Sequence, residues 1–96
     1  MKIPTQFKLG VHTITVKKGV RLKDAHGEWR QEEKMICLAK PRKEWSEHFY
    51  AQVFAHEVAH CVLDHMGRPD LSENEGFVDG ISEAVLQIMA TLEFNE

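Results

Sequence analysis

His56-Glu57-Val58-Ala59-His60 places two histidines four residues apart with a glutamate between them. In a helix, residues i and i+4 lie roughly 40° apart around the axis, so both imidazoles share a face and can reach one metal ion. Glu57 sits roughly 100° round from His56, where its carboxylate can lean over that ion without binding it. Zn²⁺ suits two neutral imidazoles plus an oxygen ligand, with a fourth position left open for water. The ion acidifies that water, and Glu57 is then the candidate general base that takes its proton. The plainer alternative is a wet helix carrying two surface imidazoles.

A second pattern, Asn74-Glu75-Gly76-Phe77-Val78-Asp79, favours the metal. Glu75 is the candidate third ligand. Asp79 is one turn further along the same face and is the candidate partner for the second ring nitrogen of a ligand histidine, a contact that fixes the tautomer. Fourteen residues lie between His60 and Glu75. That gap lets the first helix finish, reverses the chain, and starts a second, antiparallel helix at the ligand. Other acids and imidazoles compete for these roles. Glu73 is two residues from Glu75 and faces another direction. Asp64 is one turn past His60, at the site's edge or in solvent. His65 should face away from the ion, near a helix C-terminus where a cation is favoured. His12, His26 and His48 have no ligand spacing to one another. Tyr50 shares the face of Glu57 two turns earlier, as a packed aromatic or a substrate contact.

These groups need two helices and a platform. Trp45, Phe49, Val53, His56, His60 and Leu63 recur every three or four residues, which predicts a helix over 42–66, stopped by Gly67 and Pro69. A polar loop follows, with Ser72 as N-cap and Glu75 at capping-box spacing. A second helix is expected over 73–92, with Phe77, Ile81, Val85, Ile88 and Leu92 as its apolar stripe. Gly76 and Gly80 are poor helix formers, and their spacing predicts a smooth patch where the two helices approach. Residues 1–40 read as strands. Phe7–Leu9 and Val11–Val16 alternate apolar and polar around a bulge or bend at Gly10, and Gly27 is read as a tight-turn residue. Met35–Ala39 is an apolar run, a central or edge strand ended by Pro41. The expected fold class is α+β: a small antiparallel N-terminal sheet of about three strands packed on two helices.

Ninety-six residues predict one domain, 1–96, with a modest core. The net charge of −3, with interspersed signs, gives no basic excess for nucleic acid. Cys37 and Cys61 are too few for a disulfide framework and read as free buried thiols. The N-terminal Met1-Lys2-Ile3-Pro4 opens no signal peptide, and no apolar run is long enough for a bilayer, so a cytoplasmic protein without a membrane partner is expected.

Across residues 53–80 the chain resembles the gluzincin metallopeptidases: His56-Glu57-Val58-Ala59-His60 matches their zinc helix, and Asn74 to Asp79 matches their N-E-x-x-x-D glutamate helix. The resemblance implies His56, His60 and Glu75 as zinc ligands, Glu57 as catalytic base, and Asp79 as hydrogen-bond partner of a ligand histidine. A small sheet followed by two helices also looks like the minimal members of that clan, and is similar to the small metallopeptidases carried by bacteriophages, which would act in the host cytoplasm. Two departures stand out. The gap from His60 to Glu75 is shorter than in large gluzincins, and no residue after Asp79 is a His, Tyr or Arg that could steady an oxyanion. Loss of such a donor costs on the order of 10²–10³ in rate.

The leading expectation is therefore a zinc-dependent peptidase with a peptide or protein substrate. An extended peptide would add to an open sheet edge, for which Met35–Ala39 is the candidate. A zinc-binding regulatory or protein-interaction module is the alternative, although three ligands suit an open site better than a closed structural one. A metal-free helix pair used for protein contact is a third reading.

Overall fold

A computed structural model describes residues 2–93. The chain runs β1 (Gln6–Leu9), β2 (His12–Val20), β3 (Gly27–Arg30), β4 (Met35–Ala39), α1 (Glu47–His65), α2 (Pro69–Ser72) and α3 (Glu75–Thr91). The fold is α+β, with a sheet packed against helices. The sheet has four strands in the order β1-β2-β4-β3. It is mixed rather than antiparallel: β2 and β4 run parallel, while β1–β2 and β3–β4 are antiparallel.

The extra strand comes from Gly10. With φ +61, it opens a two-residue turn between Leu9 and His12, and one long expected strand becomes a hairpin. The first position of such a turn is the place where positive φ favours glycine. β4 is central. Ile36, Cys37 and Leu38 are all fully buried, which is why its sequence is apolar at every position instead of alternating. The exposed edge on the helix side is therefore β3, and the expectation of an edge at Met35–Ala39 is corrected. Gly27 lies in β3, not in a tight turn.

Ile14, Val16, Ile36 and Leu38 from the sheet form the main core with Val53, Phe54 and Cys61 from α1. α1 also faces α3. Ala51, Ala55 and Ala59 recur every four residues and are buried, and Ala59 and Leu63 pack against Val78. A helix covered on two sides must be apolar over more than one stripe. α1 is shorter than its periodicity predicts because Ser46 caps it, accepting a hydrogen bond from the Phe49 amide at 3.0 Å.

The loop expected at 68–73 contains the short helix α2, with Pro69 in its first turn, and this uses Ser72 as a helical residue. The cap of α3 passes to Asn74, whose Oδ1 accepts from the Phe77 amide at 3.0 Å. The expected α3 stripe is also corrected. Val78 is fully buried and Ile81, Val85 and Met89 partly so, whereas Phe77, Ile88 and Leu92 are 43%, 60% and 55% exposed. Gly76 and Gly80 face away from α1; a Cβ at Gly80 would meet nothing within 4 Å. Among the described residues no helix is long and apolar enough to cross a membrane.

Candidate metal centre

His56 and His60 emerge from one face of α1 as their spacing requires, and their Nε2 atoms stand 3.3 Å apart. Two donors bound to one zinc at its usual distances and tetrahedral angle are themselves about 3.3 Å apart. Glu75 opens α3 and brings Oε2 to 3.8 Å from His56 Nε2. One ligand atom from each of His56, His60 and Glu75 lies within 4.8 Å of the others, and among the described residues this group alone could hold a metal ion. Glu73 does not join it.

The outer nitrogens of both rings are engaged. His60 Nδ1 is 2.8 Å from Ser72 Oγ, and His56 Nδ1 is 3.5 Å from Asp79 Oδ1. In the tautomer that donates Nδ1–H outward, each Nε2 lone pair points inward, the form a metal requires. Burial, followed by the neighbouring His56, lowers the His60 pKa and favours its neutral, ligating form. Two imidazoles and a carboxylate, with ring nitrogens steadied from outside, suit zinc by donor type, number and spacing. Ser72 was read from sequence as a helix cap; its hydroxyl instead meets His60. Only its place one short helix before Glu75 could have hinted at this contact.

Glu57 is the one buried charged residue among those described, 8% exposed. It lies between α1 and the edge strand. Burial pushes its carboxyl up to about 7; His56 opposes the shift, while Glu28 and Glu75 add to it. The smallest influence is the nearby main-chain N–H of Trp29, which favours the charged form. Gly27 makes the fit possible, since a Cβ there would stand 3.0 Å from Glu57 Cγ and 3.2 Å from its Oε2.

A cleft of about 450 Å³ opens over these groups between β3, α1 and α2. Its lining includes Asp64, whose Oδ2 accepts from the Trp29 indole N–H at 2.7 Å. The cleft continues on the other side of His56 along His26 and Val53. The β3 edge beside it is open. His26 O accepts from the Ala39 amide at 2.9 Å, and Gly27 and Trp29 pair with Leu38 and Ile36 at alternate positions of the ladder. Their main-chain N–H and C=O groups therefore turn toward the cleft side.

Of the remaining sequence candidates, His26 borders the cleft and the others lie elsewhere. His65 is exposed, stacks edge-on with His12 at 6.4 Å, and lines a separate cavity. His26 packs edge-on against Trp45 at 4.9 Å and Phe49 at 5.7 Å. Tyr50 packs on the core with its hydroxyl buried and unpartnered. Cys37 and Cys61 are buried and unbridged. Comparison with protein-family models, with curated proteins and with solved structures gives no match to this chain.

Proposed function

We propose that the chain is a zinc-dependent peptidase, with His56, His60 and Glu75 as ligands and Glu57 as general base. The observation that carries this reading is the convergence of three ligand atoms within 4.8 Å beside a buried glutamate that borders an open cleft. A zinc ion held by those donors would supply Lewis acidity and lower the pKa of water. Glu57 accepts a proton from the attacking water as its oxygen bonds to the scissile carbonyl carbon. It then delivers that proton to the amine nitrogen as the C–N bond breaks. Burial raises that carboxyl in the metal-free chain, and a dication beside it would favour the charged form that accepts the proton. His60 is held by Ser72, and Asp79 stands 3.5 Å from His56 Nδ1, where it would steady the second ring once that nitrogen carries its proton. The open edge of β3, rather than β4, offers main-chain partners to an extended peptide. A bacteriophage origin belongs to the same reading and rests on the resemblance alone; a cytoplasmic setting is proposed with it.

One observation favours the alternative of a zinc-binding regulatory or interaction module. Among the described residues the cleft lining contains no Arg, Lys or Tyr to steady an oxyanion, and His26, on its continuation, packs against Trp45 and Phe49. The deciding experiment is zinc content together with cleavage of a mixed peptide library, wild type beside Glu57→Gln. The expected result is full zinc in both and cleavage by wild type alone. Cleavage that survives in Glu57→Gln would remove the base, and zinc without any cleavage would leave the regulatory module. His60→Ala and Glu75→Ala should lose zinc while Glu73→Ala keeps it.

A further inference from the structure

We propose that Trp29 is a positioning residue of this cleft: it clamps the edge strand β3 onto α1 and thereby fixes where the Glu57 carboxylate points. The proposal deepens the peptidase reading and takes Glu57 as the base from it.

β3 is four residues long and pairs with β4 on one side only. A short edge strand frays easily unless something else holds it. Trp29 holds it to α1. Its indole N–H donates to Asp64 Oδ2 at 2.7 Å, in the last turns of α1. Its main-chain N–H lies on the open side of the ladder and turns toward the cleft that Glu57 borders, two turns earlier on the same helix. Asp64 is one turn past His60, so the indole bond lies next to the ligand pair and ties the strand to the helix that carries the base.

Gly27 adds the opposing wall. It sits two residues before Trp29 on the same strand, and a Cβ there would touch Glu57 at Cγ and Oε2. The position of β3 thus decides the wall that the carboxylate rests against. If the indole bond is lost, the strand lifts and Glu57 gains room to swing. A misplacement of about 1 Å costs on the order of 10²-fold in a reaction of this kind.

The test uses the zinc-loaded chain with Trp29→Phe, which keeps a ring and loses the donor. Asp64→Leu removes the acceptor and Asp64→Asn retains one, and both read the bond even if Trp29→Phe fails to fold. Trp29→Phe and Asp64→Leu should lower kcat on the order of 10²-fold with KM and zinc content unchanged. Asp64→Asn should recover most of what Asp64→Leu loses. The double variant should be no worse than the poorer single one, as expected of two halves of one contact. A normal kcat in Trp29→Phe, or a fall matched by lost zinc, overturns the clamp.

A second measurement needs no activity. Amide exchange at Glu28 and Arg30, whose N–H groups face β4, should be at least about tenfold faster in Trp29→Phe and Asp64→Leu than in wild type. Equal rates overturn the proposal. If wild type cleaves no peptide, the peptidase reading falls and the exchange rates alone decide the clamp.

Discussion

Ser72 and Asp79 share the work of orienting the two histidines, one on each ring. The Ser72 contact is the shorter, so Ser72→Ala should weaken zinc binding about 10–100-fold, measured by competition with a chromophoric chelator. Unchanged affinity would show that the hydroxyl has no hold on His60. Glu57 makes a second expectation for the metal-free chain. Its carboxyl is pushed up to about 7 by burial, so the folded state holds a proton that the unfolded state has released. Its contribution is fully present below the ordinary carboxyl pKa and is lost as pH rises through about 7. The size is up to about 3 kcal/mol. His60, whose pKa burial lowers, contributes the opposite slope, so the measurement is a difference. Urea unfolding of chelator-treated protein at pH 5 and pH 8 should show wild type losing more stability with rising pH than Glu57→Gln. Parallel behaviour of the two chains would mean that the carboxyl is already well solvated. Tyr50 supplies a simpler case, because its buried hydroxyl has no partner and Tyr50→Phe should leave stability unchanged or raise it by about 1 kcal/mol. A thermal melt that drops by several degrees would reveal a partner for that hydroxyl.

At the scale of elements, the packing of β3 on α1 is tightest at Gly27. A Cβ there would stand 3.0 Å from Glu57 Cγ and from Val53 Cγ1, neither of them the loose end of a long side chain. Gly27→Ala should therefore destabilise the chain by about 1–3 kcal/mol in denaturant titration, and a neutral result would mean that β3 shifts freely. Neither this contact nor the Trp29–Asp64 bond is legible in the sequence, because each joins residues that only tertiary packing brings together. The ligand pair is legible because i and i+4 meet within a single helix, and Glu75 because its pattern opens the next one. Local chemistry could not choose between Ser72 and Asn74 as cap, since both residue types cap well. The choice was made by Pro69, which starts a short helix early enough to include Ser72. The parallel pairing of β2 with β4 likewise has no local signature, because β3 intervenes between them in sequence. The rotation of α3 has no local signature for a related reason. Its sequence is apolar on two sides, and only the need to turn Glu75, Val78 and Asp79 toward α1 selects between them.

Across the whole molecule, α3 is the most lightly held large element. Val78 is its one fully buried residue, while Phe77, Ile88 and Leu92 remain exposed. Gly76 and Gly80 each cost about 1 kcal/mol of helix stability against alanine, and neither makes a close approach to α1 in return. The sheet and α1, by contrast, share a continuous core. The proposed metal ligands bridge this unequal pair, two from the firm helix and one from the first turn of the loose one. Zinc binding should consequently stabilise α3 most. At a free zinc concentration 100-fold above Kd the gain is about 2.7 kcal/mol, which for a chain of this size raises Tm by roughly 10–20 °C. A chelator should reverse the shift, and Glu75→Ala should abolish most of it while its metal-free Tm stays near that of wild type. Amide exchange would show where the gain falls: protection should rise more along α3 than in β2 or β4, whose main-chain groups are already locked in the ladder. An equal melting temperature with and without zinc would remove the bridge. A rise in protection confined to α1 would leave the two histidines as ligands and take Glu75 away, since only a ligand on the second helix can transmit the ion's hold to it.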